Sequence, residues 1–314
     1  MLDFSANVTY LILTGHVELE KYRYFYFLVT LSLYLMIICC NALVIFVIYT
    51  NECLHEPMYI FITALLMNTL SGSTAFYPKL LTDILFKNLI VSFDACLFQA
   101  FFIYTYAMSE FMLLSAMAYD RYVSICKPLQ YATIVNMSTV KKLIFLCCFV
   151  PSCENGIGLI LLYQLKLCNF KLNRIYCSSY AIVKLNCGDI SIYNSYGLFI
   201  FIIAIFPQVI FVIYSYIRIL TVCLNNSKDF RRKALHTCLP HLIVFTSFTV
   251  TSCFEVINSR LEGNMPHIIA MIMSVENLVI PPLLNPVIYG LKLKEIFNRI
   301  KIMFWKKKIH IFSD

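Results

Sequence analysis

Long apolar runs separated by short polar stretches organise this chain from end to end. Seven runs reach the roughly 20 apolar residues that a helix needs to cross a bilayer core: about 24–49, 58–82, 97–119, 141–163, 194–220, 235–257 and 266–290. Runs this long satisfy their backbone groups in lipid as helices. The fourth is the weakest, because Pro151, Glu154, Asn155 and Gly156 interrupt it. After the seventh, Ile296, Ile300, Phe304 and Trp305 recur among bases, the spacing of an amphipathic helix on a membrane surface. The pattern predicts an all-α membrane protein. It is a seven-transmembrane helix bundle with a short amphipathic C-terminal helix, in one domain over 1–314. Residues 1–23 form the N-terminal segment, 24–290 the bundle and 291–314 the tail.

Composition agrees. Hydrophobic residues make up 60% of the 314 and charged residues 13%, against roughly 25% charged in a soluble domain. The mean hydropathy is +0.77. The net charge of +8 sits in loops and tail rather than on one nucleic-acid-binding face, so no nucleic-acid partner is expected. Seven spans put the termini on opposite sides. One side holds Arg121, Lys127, Lys141, Lys142, Arg218, Lys228, Arg231, Arg232, Lys233 and the tail bases. The other holds fewer, among them Lys166, Lys171, Arg174, Lys184 and Arg260. The positive-inside rule makes the C-terminus cytoplasmic and the N-terminus extracellular, in a multi-pass plasma-membrane protein. Glu52 and Glu56 in the first inner loop add nothing to this bias. Met1 to Glu20 lacks the pattern of a cleavable signal peptide, so the first run is expected to act as an uncleaved anchor.

Of 14 cysteines, Cys96, Cys168, Cys177 and Cys187 fall on the outer side, where they can make two disulfides. Four cysteines allow three connectivities, and spacing does not choose among them. Cys39, Cys40, Cys147, Cys148 and Cys253 read as free thiols within helices. Asn7-Val8-Thr9 is a glycosylation sequon on the outer side. The sequons at Asn136 and Asn225 would be cytoplasmic. Nothing matches a catalytic elbow, a metalloprotease helix or a phosphate loop, so neither an enzyme nor a cofactor is expected. Cys238 and His241 lie three apart on a helix, too few ligands for a metal site.

Arg121, costly near a bilayer without a partner, has Asp120 beside it. The stretch Met117-Ala118-Tyr119-Asp120-Arg121-Tyr122-Val123-Ser124-Ile125-Cys126-Lys127-Pro128-Leu129 through Tyr131 resembles the MAYDRYVAIC signature of odorant receptors, a branch of the rhodopsin-like, G-protein-coupled receptors. Leu54-His55-Glu56-Pro57-Met58-Tyr59-Ile60-Phe61 is similar to their LHxPMYxF. Lys233-Ala234-Leu235-His236-Thr237-Cys238-Leu239-Pro240-His241-Leu242 is similar to KAxxTCxxHL. Tyr214-Ser215-Tyr216 and Pro281-Pro282-Leu283-Leu284-Asn285-Pro286-Val287-Ile288-Tyr289 match further motifs. The likeness runs from Leu54 to Ile296. Span two departs from the pattern: Thr69 stands where many members have an aspartate, and Asn68 to Lys79 looks more like fish-type members. Tyr176-Cys177-Ser178 lacks the histidine and acid that form a metal motif in some members.

The resemblance implies the pairings Cys96–Cys177 and Cys168–Cys187. It implies a polar pocket of Asn41, Glu110 and Asn285 at the bundle centre, with Thr69 replacing the aspartate of a sodium site. It places Tyr104, Ala107, Met108, Ile203, Ala204, Thr249, Cys253, Val256 and Leu278 against a ligand between the outer halves of spans three, five, six and seven. Thr249 follows Phe248 where many members have Phe-Tyr. Arg260, one turn beyond Val256, reads as a solvated loop arginine paired with Glu262. The alternative is a bidentate partner for a ligand carboxylate. The implied partners are a small-molecule odorant, a heterotrimeric G protein of the olfactory stimulatory type that raises cyclic AMP, and the lipid bilayer. Coupling falls to Asp120, Arg121, Tyr122, Tyr216, Lys233, Asn285, Pro286 and Tyr289. A transporter or channel is the alternative, on the intramembrane acids Glu154, Glu255 and Glu276, although no internal two-fold repeat is visible. A non-olfactory receptor of the same superfamily is a third reading.

Overall fold

The computed structural model describes residues 10–15, 22–86, 89–260, 267–292 and 295–302. In chain order the long helices are α1 (Arg23–Thr50), α2 (Pro57–Phe86) and α3 (Phe93–Cys126). A short α4 (Tyr131–Ile134) precedes α5 (Met137–Tyr163). A loop helix α6 (Ser179–Val183) precedes α7 (Ser191–Leu224), α8 (Lys228–Arg260) and α9 (His267–Lys292). Residues 295–302 are also helical. Six of the long helices are apolar enough over 18 residues to cross a membrane. The seventh, α9, packs against α1, α2 and α8 and completes the bundle.

Each helix overruns its apolar run. At 1.5 Å per residue α7 is roughly 50 Å long, well beyond the ~30 Å hydrocarbon core. The overruns start at side-chain caps that hydropathy does not register. Ser92 accepts the Ala95 N–H at 3.3 Å to begin α3, and Asn136 accepts the Thr139 N–H at 2.9 Å to begin α5. Both satisfy an amide that the helix start leaves without a partner. Asp189 takes the Ser191 amide at 2.9 Å and its hydroxyl at 2.6 Å just before α7. Those bonds hold the exposed Asp189 carboxyl below the usual carboxylate range.

The interrupted fourth run is one continuous helix through Pro151. Asn155 donates to the Pro151 carbonyl at 2.8 Å and Ser152 to the Cys148 carbonyl at 2.7 Å, so these polar side chains are satisfied by their own helix. α3 is the central element, packed against α2, α5, α7 and α8.

One feature departs from the all-helical expectation. Tyr10–Leu13 forms a strand, β1, between β2 (Ile90–Ser92) and β3 (Lys171–Leu172), antiparallel to β2 and parallel to β3. Leu11 and Leu13 alternate inward and are fully buried beneath the loops. Gly15 follows where a Cβ would lie 2.6 Å from the Arg174 carbonyl carbon, so only glycine fits there. At the opposite end Ile296 is fully buried in the main core and Ile300 packs beside it. Arg299 reaches Cys53 Sγ at 3.2 Å. Phe304 and Trp305, the other half of the expected amphipathic face, lie outside the described residues, as does Asn7.

Candidate functional site

The long loop between α5 and α7 is tied down first. Cys96 on α3 is bonded to Cys177, and Cys168 to Cys187, the two pairings expected. Gln99 donates to the Ala75 carbonyl at 3.1 Å and accepts the Cys177 amide at 3.0 Å, so the loop is pinned beside its disulfide. Tyr104 shares a 3.1 Å hydrogen bond with Ser178. Arg174 pairs with Glu255 of α8 at 3.7 Å, and Tyr176 donates to the same carboxylate at 3.3 Å. Burial, and then the Glu255 charge, push the Tyr176 phenol well above its ordinary range.

Beneath this loop is a cavity of about 220 Å³. That is smaller than the roughly 300–1,000 Å³ of pockets for drug-sized ligands. α3 contributes Ala100, Phe101, Tyr104, Ala107, Met108 and Phe111 to its wall. α8 contributes Ser252, Glu255, Val256, Ser259 and Arg260, and α9 contributes Asn277. Tyr104, Ala107, Met108, Ala204 and Val256, expected against a ligand, line this cavity, and so does Arg260, read first from the sequence as a solvated loop arginine.

Four expected lining residues do not. Ile203 is 45% exposed on the outside of α7 while its neighbour Ala204 faces in. A step of one residue turns a side chain by 100° around a helix, so on an all-apolar span a one-place error reverses the face. Leu278 is buried against Tyr77 and accepts its hydroxyl at 3.4 Å, leaving Asn277 on the cavity side. Thr249 bonds the Phe245 carbonyl of its own helix at 2.8 Å, and Cys253 is also off the wall.

Sequence reasoning also missed a wall. α5 supplies Glu154, Asn155 and Gly158, and α6 supplies Ser179, Tyr180 and Val183. Tyr193, Tyr196, Gly197 and Ile200 of α7 join them. The signals were present: Glu154 and Asn155 break an apolar run, and Ser252, Glu255 and Ser259 repeat at helical spacing. Asn277 is held in place by Ser252, which accepts its amide at 3.2 Å, by Thr251, which donates to its side-chain oxygen, and by Tyr106, which donates to its carbonyl at 3.2 Å.

Arg260 extends over the Tyr180 ring at 5.1 Å and donates Nη1 to the Val256 carbonyl at 3.2 Å. Its Nε is buried and has no hydrogen-bond partner among the described residues. Glu262, its expected partner, lies outside the described residues.

Halfway along the bundle Glu110 is fully buried. It accepts Asn285 Nδ2 at 2.6 Å and Asn68 Nδ2 at 2.9 Å, and Asn285 also reaches Thr69 at 3.4 Å. The expected polar pocket thus forms from Glu110 and Asn285, with Asn68 as its third member. Asn41 is not in that cluster: it bonds the Ile37 carbonyl at 2.7 Å and the Pro282 carbonyl at 3.1 Å, clamping α1 to α9. Pro286 has no N–H for that carbonyl four residues earlier, so Asn41 takes the place of the missing helix bond.

At the opposite end from the cavity, Asp120 accepts the Tyr131 hydroxyl at 2.7 Å, which ties α3 to α4. Burial, and then the Asp120 charge, raise the Tyr131 phenol. Arg121 keeps a buried Nε without a partner among the described residues. Tyr122 packs near Tyr214, ring centroids 6.2 Å apart. Tyr216 bonds His241 Nδ1 at 2.7 Å and the Cys238 carbonyl at 3.2 Å, while His241 Nε2 meets the Leu114 carbonyl at 2.8 Å. A carbonyl only accepts, so Nε2 carries the proton and Nδ1 accepts the single Tyr216 hydroxyl proton, with the Cys238 carbonyl sharing it as the longer arm of a three-centre contact. One histidine thereby joins α3, α7 and α8. The Tyr289 hydroxyl is buried in the same region. Lys233 lies in α8, its side chain outside the described residues.

A bundle with a cavity at one end and a buried polar relay toward the other suits signal transmission across a membrane, and the comparisons agree. A family model for olfactory receptors matches residues 30–307. Human olfactory receptor 51E1 is 35% identical across 97% of this chain and 97% of its own length. Human olfactory receptor 52A5 is 35% identical, covering 88% of this chain and 89% of its own. Mouse olfactory receptor 51E2 is 34% identical, covering 96% and 95%. The chain therefore belongs to the olfactory receptor family: it is a multi-pass, G-protein-coupled membrane receptor and not an enzyme.

Proposed function

We propose that this receptor binds a small odorant carrying a carboxylate in the cavity between α3, α5, α7 and α8, beneath α6. The observation that carries this reading is Arg260. A buried guanidinium Nε with no partner among the described residues is costly. A planar carboxylate facing the fork satisfies it with charge-assisted bonds. The largely apolar walls accept the rest of a short-chain acid. The N-terminus and both disulfides are extracellular in this reading, and the C-terminus is cytoplasmic.

Binding favours one of two bundle packings by differential affinity. The response moves the cytoplasmic end of α8 away from α3. Tyr216 and His241 exchange partners, Arg121 is released toward the G protein with Asp120 and Tyr122 beside it, and Tyr289 turns with the Asn285-Pro286 segment. Lys233 and neighbouring bases flank the docked protein, an olfactory stimulatory type that raises cyclic AMP. The test is cyclic AMP in cells expressing the chain with that G protein, surface labelling included, against acids, amines, alcohols and aldehydes. A response to acids that disappears in both Arg260→Ala and Arg121→Ala is expected. Unchanged acid responses in Arg260→Ala remove the carboxylate reading.

A further inference from the structure

Among the described residues three charged side chains line the cavity: Glu154, Glu255 and Arg260. Glu255 already faces Arg174 and the Tyr176 hydroxyl. Glu154 and Arg260 remain, one negative and one positive, and among the described residues no salt bridge joins them. Glu154 lies nine residues inside the Tyr163 end of α5, roughly 14 Å of helix, so its carboxylate is well inside the span. Ionisable groups at such depth are costly unless paired, and they mark ligand or ion paths. Among the described residues, the only bond to Glu154 from across the bundle goes to its backbone: Tyr196 donates to its carbonyl at 2.9 Å.

Both residues sit against one turn of α7 and line the same cavity. Tyr196 touches Glu154, and the next residue, Gly197, faces Arg260, whose Nη2 lies 4.0 Å from where a Cβ would be. The cavity that both line is only about 220 Å³, so a single short molecule can meet both. We propose that the ligand is a zwitterion, an amino-carboxylate whose carboxylate meets Arg260 and whose ammonium meets Glu154. This rests on the carboxylate reading of Arg260 and adds a second charge to it. A simple carboxylic acid satisfies Arg260 but faces the like charge of Glu154, so it binds less well. A simple amine has the opposite fault.

The experiment uses four probes with one carbon count: pentanoic acid, pentylamine, 2-aminopentanoic acid and 5-aminopentanoic acid. Cyclic AMP is read in cells expressing the full chain, with surface labelling of every variant. At least one amino acid is expected to act at a concentration about tenfold below pentanoic acid, a factor corresponding to one well-formed charge contact. Glu154→Gln, nearly the same shape, is expected to abolish that advantage and to leave pentanoic acid equal or more potent. Arg260→Ala is expected to lose the response to all three carboxylates. Equal potency of pentanoic acid and the amino acids, unmoved by Glu154→Gln, overturns the zwitterion and leaves the carboxylate reading standing. Acid responses that survive Arg260→Ala overturn both, as does silence to all four probes from a surface-labelled receptor.

Discussion

Asn285 of α9 donates its amide to Glu110 of α3 at 2.6 Å, at a depth where neither side chain reaches solvent. The bond ties the Asn285-Pro286 segment, whose proline removes a ladder hydrogen bond from α9, to the central helix. Asn68 of α2 donates to the other carboxylate oxygen, so one acid joins three helices. Glu110→Ala takes one acceptor from each amide, leaving Asn285 only the 3.4 Å contact to Thr69 and Asn68 only the Tyr106 carbonyl at 3.0 Å, a loss of about 1–3 kcal/mol for each unmade bond. Glu110→Gln behaves differently, because Asn285 Oδ1 is buried and unpartnered among the described residues and can accept from the new amide after a flip. Thermal unfolding of purified receptor should place Glu110→Ala far below wild type and Glu110→Gln within about 1 kcal/mol of it. Equal losses in the two variants would show that the network is not what stabilises this site.

The His241 bridge makes a second prediction. Tyr216→Phe keeps the ring but removes the hydroxyl from Nδ1, a loss of about 0.5–1.5 kcal/mol. Because the bond holds α8 against α7 in the packing seen here, its loss should raise ligand-free cyclic AMP at equal surface expression. A variant with unchanged basal signal but lowered stability would make the bridge purely structural.

Much of this was legible in the sequence, and the parts that were not share a physical cause. Hydropathy located the seven helices because backbone satisfaction in lipid leaves little other choice. It did not mark their ends, since caps such as Ser92 and Asn136 are single polar side chains that a window averages away. Motifs carried Glu110 and Asn285 to the same pocket, but Asn68 drew attention only as the neighbour of Thr69. Rotation was the least readable quantity. α7 is apolar nearly all round, so nothing in Ile203-Ala204 told lipid face from cavity face. The strand at Tyr10–Leu13 escaped because four residues with partners 80 and 160 positions away leave only an alternation that a helical loop could share.

The two disulfides should differ in weight. Cys96–Cys177 closes a separation of 81 residues and Cys168–Cys187 one of 19. In the loop-entropy account the longer closure stabilises by about 1 kcal/mol more. The longer one also joins the loop to α3, next to Gln99. Surface expression and melting temperature should fall further in Cys96→Ala/Cys177→Ala than in Cys168→Ala/Cys187→Ala. The reverse order would assign the loop's stability to its internal staple.

Two glycines offer a matched comparison of packing. A Cβ on Gly72 of α2 would lie 2.4 Å from Tyr106 Cγ, at the stiff base of a ring rather than the free end of a chain. Tyr106 is buried, and its hydroxyl holds the Asn277 carbonyl at 3.2 Å, so the ring cannot retreat without disturbing the cavity wall on α9. Gly72→Ala should therefore cost about 1–3 kcal/mol by overpacking and weaken ligand responses along with stability. Gly156 of α5 has nothing within 4 Å of its Cβ position. There alanine only restricts the unfolded chain and improves helix propensity, a gain of about 0.5–1 kcal/mol. Melting curves of the two variants should move in opposite directions from wild type. A Gly72→Ala protein as stable as wild type would mean that α2 and α3 do not approach as closely as the Gly72–Tyr106 contact requires.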